Sequence, residues 1–242
     1  MQIVDKSFQN FDKFLEISNE EGAFALINKP KTWTSFNVVN KLRYATKVKK
    51  VGHAGTLDPL AEGLVLVAFG KKATKEINNL ILLKKRYLAQ FKLGATTKSY
   101  DSEFEEENIK DTSAVNLKII QELIANNFIG EISQMPPDFS AKKINGTRAY
   151  NLARKEKEVK LNPVSVFIHN FDVISYDNPF VNVDIECSKG TYIRAIARDL
   201  GDELSCGGYM TKLLRTSIGD YKLENALSID EFIGKINYDK SI

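Results

Sequence analysis

The stretch VGHAGTLDPLAEGLVLVAFGKKATK, residues 51–75, organises the fold that we predict for this chain. Its first half is a loop with three glycines and an Asp-Pro pair, and its second half is an apolar run, residues 64–70, followed by lysines. Because Pro59 fixes its own φ and disfavours helical geometry in the residue before it, Asp58 should lie in an extended turn. The apolar run is typical of a buried central strand. The stretch therefore predicts a carboxylate presented beside a buried strand, although an ordinary Asp-Pro turn would have the same local pattern.

Length and composition limit the classes of protein to which the chain can belong. At 242 residues it can form one large domain or two small ones around a real hydrophobic core. Lys and Arg number 34 against 31 Asp and Glu, so the overall charge does not by itself indicate a nucleic-acid-binding protein. Cys187 and Cys206 are too few for a disulfide framework and have no His/Cys cluster beside them, so we expect two reduced thiols and no metal site.

The sequence shows no pattern of a targeting or membrane segment. Residues 1–21 mix charges with single aromatics and lack the apolar core of a signal peptide, and no apolar stretch approaches the length of a membrane span. We therefore expect a cytoplasmic protein that does not bind membranes.

The segments around residues 51–75 alternate between strand and helix patterns. Apolar runs and period-two alternation predict strands, and apolar residues every three to four positions predict helices. Thr34 or Ser35 is expected to cap the first helix, and Thr191 is expected near the N-cap of a later one. Asn178-Pro179 should be the turn of a hairpin. The predicted strands are residues 23–28, 64–70, 85–94, 164–177 and 180–190, and the predicted helices are residues 36–50, 71–83, 116–128, 191–204 and 227–236. This mixture predicts an α/β protein of the α+β type.

Charge is distributed unevenly along the second half of the chain. Residues 141–160 carry seven Lys or Arg against two Glu, which is the electrostatic footprint of a phosphate-binding surface. A charged, exposed helix would have the same composition, so charge alone leaves both interpretations open. Residues 101–111 hold six acidic residues and one lysine, and they predict a solvated surface loop that faces away from any phosphate-binding surface.

The central stretch resembles, nearly residue for residue, the catalytic motif of the TruB-type tRNA pseudouridine-55 synthases. The resemblance covers about residues 22–236 and includes five further motifs. They are INKPKTWTSFNVV (27–39), KRYLAQFKLGATTKSYD (85–101), QMPPDFSAKKINGTRAYNLAR (134–154), CSKGTYIRAIARDLGDEL (187–204) and CGGYMTKLLRTSIGDY (206–221). The sequence departs from the family pattern at Ser99, where threonine is common, and at Leu214, where arginine is commoner.

The resemblance implies a fold and a domain organisation. The pseudouridine-synthase fold is a mixed, mostly antiparallel sheet flanked by helices, with an insertion that grips the RNA. We expect this catalytic domain to span residues 22–242 after an N-terminal extension, residues 1–21, with the RNA-binding insertion at about 138–165. Many family members carry a further C-terminal RNA-binding PUA domain, for which the given sequence has no room.

The resemblance also implies a reaction. A family member isomerises the uridine at position 55 in the T-loop of tRNA to pseudouridine, without a metal or cofactor, and the expected partner of this monomeric enzyme is the tRNA T-stem-loop. Asp58 would be the nucleophile, adding either to C6 of the base or to C1′ of the ribose, and both routes stay open. Arg194 would pair with Asp58 and favour its charged form. Tyr87 would stack on the base, with its hydroxyl near C5.

Further residues are assigned to RNA binding by the same resemblance. His53 would fill the space that the flipped nucleotide leaves in the RNA. Tyr192, Leu213 and Lys29 would lie at the pocket, with Tyr192 and Arg194 both reaching it because they stand at a helix entrance. His169, by contrast, is read as a structural histidine. The residues expected to contact the RNA backbone are Lys142, Lys143, Arg148, Arg154 and Lys155.

Two functions from other classes remain as alternatives. One is a non-catalytic tRNA-binding or tRNA-folding protein with the same fold. The other is a glycoside hydrolase in which Asp58 is the nucleophile, and this needs a second carboxylate about 5–9 Å away. Glu62 is the only acidic residue near Asp58 in the sequence, and no other feature indicates a sugar substrate.

Overall fold

The computed structural model describes residues 1–140, 142–144, 147–154 and 161–238. The chain divides into two compact units. The first consists of Met1–Tyr87 and Leu214–Ile242, and the second consists of Leu88–Leu213.

The described residues form the following strands and helices. The strands are β1 (Gln2–Val4), β2 (Ala23–Lys29), β3 (Val51–Ala54), β4 (Glu62–Phe69), β5 (Lys85–Leu93), β6 (Gly130–Gln134), β7 (Lys143–Ile144), β8 (Thr147–Arg148), β9 (Val164–Asp177), β10 (Phe180–Cys187), β11 (Gly208–Ile218), β12 (Tyr221–Lys222) and β13 (Leu227–Ser228). The helices are α1 (Phe14–Glu20), α2 (Ser35–Thr46), α3 (Gly70–Lys75), α4 (Ile77–Leu82), α5 (Leu117–Asn127), α6 (Ala149–Ala153), α7 (Ile193–Glu203) and α8 (Ile229–Tyr238).

Strand β4 is the centre of the first unit, as the apolar run predicted. It pairs antiparallel with β2 from Ala23↔Phe69 to Lys29↔Gly63, and antiparallel with β3 on its other side. The end of β11 also pairs with β4, in parallel, and every side chain from Leu64 to Phe69 is fully buried. A strand buried on both faces reads as a continuous apolar run, which is why this element was predicted correctly.

Gly63 allows β4 to approach β11 closely. Its φ is +105°, and a Cβ at this position would lie 2.4 Å from the carbonyl oxygen of Arg215. Glycine adopts positive φ without a steric penalty and carries no Cβ, so this backbone contact requires it.

The N-terminal residues are an integral part of the first unit. Strand β1 pairs in parallel with β2, with Gln2 opposite Ala23. Phe14 of α1 packs edge-on against Phe69 and Phe232, at ring-centroid distances of 5.0 and 5.3 Å. Buried aromatic pairs in this geometry stabilise a core beyond their area burial. Residues 1–21 therefore pack against the central strand and α8 rather than projecting from the unit.

The second unit is built on an antiparallel hairpin. Strands β9 and β10 pair from Phe180↔Asp177 onward, and β6 pairs antiparallel with β9. The turn at Asn178-Pro179 confirms the predicted hairpin. Along β5 the buried residues alternate, with Ala89, Phe91 and Leu93 facing the core, so its period-two pattern was also predicted correctly.

Thr191 stands next to Tyr192, the cap residue of α7, as predicted, and its hydroxyl donates to the Ser188 carbonyl. Two local predictions were wrong. Residues 71–83 form two short helices, α3 and α4, because the chain turns at Glu76 instead of continuing one helix. The acidic loop is solvated from residue 105 to residue 111, but Asp101 at its start is buried, because it contacts a buried arginine.

Candidate active site

Asp58 lies in a turn between β3 and β4. Its carbonyl accepts a hydrogen bond from the Ala61 amide at 3.1 Å, and Pro59 occupies the second position of this turn, where its fixed φ is favourable. Leu57 is buried, whereas the Asp58 side chain is half-buried. The structure thus places Asp58 in a turn, as predicted, with its carboxylate partly accessible.

Ser35 anchors this turn to the start of α2. Its hydroxyl accepts from the Leu57 amide at 2.9 Å and lies 3.2 Å from the Leu57 carbonyl, to which it donates. Thr34 caps the same helix by accepting from the Asn37 amide, as predicted. Because these bonds hold the residue before Asp58, the backbone that carries the carboxylate has a defined position.

Lys29 lies at the end of β2 and joins two loops beside Asp58. The side chain is 0% exposed, and its ammonium donates to the carbonyls of Pro30 at 2.9 Å and Trp33 at 2.6 Å. A weaker contact of 3.5 Å reaches the Pro59 carbonyl. Burial lowers the pKa of Lys29 to about 8, and the negative charges of Glu62 and Asp58 oppose that shift. The predicted proximity of Lys29 to Asp58 is therefore present in the first unit.

Two more cations are buried in the first unit, and one of them, Arg215, bonds to the loop that carries Asp58. Arg215 is fully buried and donates from Nε to the Leu64 carbonyl at 2.7 Å and from Nη2 to the Gly55 carbonyl at 3.2 Å. The buried Lys85 ammonium donates to the carbonyls of Ile81 and Leu83, both at 2.6 Å. Backbone carbonyls thus satisfy both cations, which is the condition for burying a charge. The sequence analysis assigned no role to either residue, although both stand in matched motifs.

The first unit also contains His53 and Tyr87. His53 is half-buried on β3, opposite Val67 of the central strand. Tyr87 is buried as the third residue of β5. The first unit therefore holds four predicted site residues, namely Lys29, His53, Asp58 and Tyr87, together with the cations Lys85 and Arg215.

Arg194 is buried in the second unit, at the start of α7. It donates from Nη1 to the Ser99 carbonyl at 2.8 Å and from Nη2 to the Phe139 carbonyl at 2.9 Å. Its Nε lies 3.6 Å from Oδ2 of Asp101, which is also buried. These contacts hold the guanidinium in one orientation. The pairing of Arg194 with Asp58 stays a prediction.

Asp101, which was predicted to lie in a solvated loop, is buried beside Arg194. Oδ1 of its carboxylate accepts from the Ser99 hydroxyl and, at 3.0 Å, from the Glu103 amide, while Oδ2 faces Arg194. An aspartate closing the matched motif KRYLAQFKLGATTKSYD was the signal that could have identified it. The composition of residues 101–111 did not distinguish Asp101, because five further acidic residues, exposed or partly exposed, follow it in the same segment.

Tyr192 and Leu213 are the other predicted pocket residues of the second unit. The Tyr192 amide donates to the side chain of Gln134 at 2.8 Å, and Gln134 donates back to the Tyr192 carbonyl at 3.2 Å. Gln134 is fully buried, so this reciprocal pair holds the entrance of α7. Tyr192 is half-buried at the cap position, as the entrance argument predicted, and Leu213 is buried on β11.

The predicted RNA-backbone residues are only partly described. Lys142 donates to the Asn162 carbonyl at 3.4 Å, and exposed Arg154 pairs with Glu103 at 2.7 Å. The backbones of Lys143 and Arg148 lie on β7 and β8, which pair with each other. Lys155 lies outside the described residues. Arg154 of the basic segment thus contacts the acidic loop, through an exposed ion pair that contributes little stability.

Two negative findings apply to the residues that the structure describes. None of their helices is long and apolar enough to cross a membrane. Within the same residues, no group of three or more His, Cys, Asp or Glu side chains is placed to hold a metal ion.

Comparison with known proteins identifies the family. The sequence profile of the TruB family pseudouridylate synthases (N-terminal domain) matches residues 43–193. The tRNA pseudouridine synthase B of Bacteroides fragilis is 46% identical over 219 residues, which cover 88% of this chain and 93% of that protein. The protein of the same name in Phocaeicola vulgatus is 44% identical, and the aligned region covers 88% of this chain and 92% of that protein.

A solved structure shows the same fold. The crystal structure of a Cbf5-Nop10-Gar1 complex contains a chain that is 25% identical, with a TM-score of 0.70. The match covers 91% of this chain and 56% of that one, so this chain spans little more than half of its length. The predicted pseudouridine-synthase fold is thereby confirmed. From its matched residues and its relatives, the chain belongs to the TruB family of pseudouridylate synthases.

Proposed function

We propose that this protein isomerises the uridine at position 55 in the T-loop of tRNA to pseudouridine, acting as a monomer in the cytoplasm. The observation that carries the proposal is the Asp58 turn, which presents a half-buried carboxylate next to the buried cation Lys29. The relatives named tRNA pseudouridine synthase B extend over most of this chain and support tRNA as the substrate.

The reaction needs no redox step and no external group donor, since product and substrate are isomers. The ionised carboxylate of Asp58 forms a covalent bond either to C6 of the uracil or to C1′ of the ribose. The C1′–N1 bond breaks, the uracil rotates, and a C1′–C5 bond forms. The bond to Asp58 breaks again and frees the carboxylate, the proton on C5 leaves and N1 regains a proton, so atoms and charge balance on both routes.

Two buried cations of the first unit contact or face the Asp58 loop. Lys29 interacts electrostatically with Asp58, and Arg215 holds the Gly55 carbonyl of the same loop. In the second unit, Asp101 and two backbone carbonyls orient the Arg194 guanidinium, the group that the family resemblance pairs with the nucleophile. Removing such positioning contacts lowers the rate even where the nucleophile is unchanged.

The target nucleotide must leave the RNA stack before it can react, at a cost of about a few kcal/mol. Tyr87 supplies an aromatic face for the extruded uracil and a hydroxyl that accepts or relays the C5 proton. By the family resemblance, His53 fills the space left in the RNA, and Tyr192 and Leu213 are assigned to binding of the target nucleotide. The insertion at about 138–165 provides phosphate contacts through its basic residues.

Release of tritium from tRNA labelled at C5 of uridine tests the proposal directly. Wild-type protein should release tritium, and Asp58→Asn should retain less than one per cent of that rate while binding tRNA within about tenfold of wild type, because phosphate contacts supply most of the affinity. Glu62→Gln is the matched control, since Glu62 is an exposed carboxylate four residues away at the start of β4. It should remain active.

Two results would contradict the proposal. Tritium release by Asp58→Asn above one per cent of wild type would remove Asp58 as the nucleophile. Unmodified uridine after incubation with excess wild-type protein would favour the alternative, a non-catalytic tRNA-binding protein with this fold.

A further inference from the structure

Helix α2 presents an unusual exposed face. Phe36 is 63% exposed and Tyr44 is 76% exposed, whereas Val38, Val39 and Leu42 of the same helix are buried. At 100° per residue, positions 36, 40, 43 and 44 lie along one stripe, opposite the buried face. This stripe consists of Phe36, Asn40, Arg43 and Tyr44, and the surface continues at Lys47, which directly follows the helix and whose ammonium lies over the Tyr44 ring.

The surroundings of this stripe are strongly positive. From residue 22 to residue 57 the sequence contains seven Lys or Arg and no Asp or Glu. All of these bases except Lys29 are exposed, and among the described residues none of the six exposed ones lies in an ion pair with a carboxylate. Lys47 instead stands 4.1 Å above the Tyr44 ring. A solvated helix terminus explains single bases, but it explains neither this imbalance nor the exposed rings between them.

We propose that the exposed face of α2, defined by Phe36, Arg43, Tyr44 and Lys47, binds the strand of the substrate RNA that leads away from the target nucleotide. Arg43 and Lys47 would contact phosphates, and the two aromatic rings would stack on unpaired bases. This inference rests on the proposed function, because that function makes RNA the substrate.

The position of α2 indicates which part of the RNA binds to its exposed face, namely the strand beside the target nucleotide. The first residue of the helix, Ser35, is bonded to Leu57, and Leu57 directly precedes Asp58. A nucleotide that reaches the Asp58 carboxylate brings its neighbours to this end of the helix, where Phe36 lies. The 12 residues of α2 span about 18 Å, so a strand following the stripe meets Phe36 first and the bases afterwards.

The chemistry favours RNA over a protein partner. The centres of protein interfaces are depleted in lysine, whereas here the Lys47 ammonium lies over the Tyr44 ring and all six exposed bases of residues 22–57 are lysines except Arg43. Aromatic side chains interleaved with bases are the arrangement that single-stranded nucleic acid requires, since every base has a face that can stack and every linkage has a phosphate.

The first experiment measures the affinity for tRNA over a salt series. Arg43→Gln with Lys47→Gln should reduce the magnitude of the log–log slope by about 1.4 to 1.8, which corresponds to two lost phosphate contacts. The matched control is Lys118→Gln with Lys222→Gln, which removes the same charge from two exposed lysines that already face carboxylates at 3.8 and 3.9 Å. The control should keep the wild-type slope within about half a unit.

The second experiment separates stacking from charge. Phe36→Ala with Tyr44→Ala should weaken tRNA binding by at least about fivefold and leave the salt slope unchanged, because stacking releases no counterions. In both α2 variants the single-turnover rate at saturating protein and the unfolding midpoint should equal those of wild type, since these side chains are exposed and do not touch the Asp58 turn.

Each outcome decides the matter. An α2 charge variant that binds with the same slope as its control overturns the inference, and so does an aromatic variant with wild-type affinity. A reduced single-turnover rate in either α2 variant would also overturn it, because the effect would then be on the catalytic loop. If the wild type binds tRNA but converts no uridine, the proposed function fails, while the α2 comparison still stands or falls on the binding data.

Discussion

Replacing Lys29 by methionine should change how the free energy of unfolding depends on pH. Lys29 is fully buried, and burial lowers its pKa from 10.5 to about 8 in the folded protein. Between these values the unfolded chain binds more protons than the folded one, so stability rises with pH over that range. The charged form is disfavoured in the fold by about 3 kcal/mol, which is the shift converted at 1.36 kcal/mol per pKa unit. This unfavourable contribution is complete below pH 8 and absent above 10.5.

The measurement is urea unfolding of wild type and Lys29→Met at pH 7 and pH 9.5. The linkage relation predicts that the free energy of unfolding of wild type, relative to that of Lys29→Met, increases by about 2 kcal/mol from pH 7 to pH 9.5. Lys118→Met is the control, because Lys118 is 84% exposed on α5 and its replacement should leave the pH dependence as it is. An unchanged difference between wild type and Lys29→Met at the two pH values would refute the reasoning, since it would mean that Lys29 titrates as an ordinary exposed lysine.

Two further predictions concern the residues around the proposed reaction. Tyr87→Phe keeps the aromatic face and removes the hydroxyl, so tRNA binding should persist while the single-turnover rate falls by about 10²-fold or more. A wild-type rate in this variant would exclude proton transfer by the Tyr87 hydroxyl. Asp101→Asn removes the buried charge opposite Arg194, so unfolding free energy should fall by about 3–5 kcal/mol, whereas Glu105→Gln in the exposed part of the same loop should change it by less than about 0.5 kcal/mol. Equal stability of the Asp101 and Glu105 variants in urea unfolding would show that the pair with Arg194 contributes nothing.

Elements whose pattern comes from burial could be predicted from the sequence alone. The apolar run at residues 64–70 is β4, and the two alternating runs on either side of Asn178-Pro179 are β9 and β10. Thr34 caps α2 as its residue type indicates. In each case the signal lies in consecutive residues, as a repeating apolar pattern in the strands and as a capping residue type before the helix.

The candidate site residues could be located from the sequence because they stand in contiguous motifs, and their roles remain predictions. Asp58 lies in a turn because of Pro59, and Tyr192 caps α7 because the chain enters the helix just after Gly190. The environment of these residues could not be predicted in the same way. Whether a lysine or an aspartate is solvated depends on which distant segments cover it, and composition contains no information on that.

Tertiary structure alone decided how the charges are used. Arg215 bonds to the carbonyls of Gly55 and Leu64, which lie 160 and 151 residues earlier in the chain. Asp101 likewise contacts Arg194, which lies far from it in sequence within the same unit. In the sequence these residues look like ordinary bases and acids. In the fold, low local dielectric and fixed backbone carbonyls make them buried, oriented charges. Conversely, the aromatic and basic residues of α2 look like a helix terminus in sequence, and only helix geometry places them on one exposed stripe. The chain thus determines the order of its motifs locally, whereas burial, which comes from long-range packing, determines which charged groups act together.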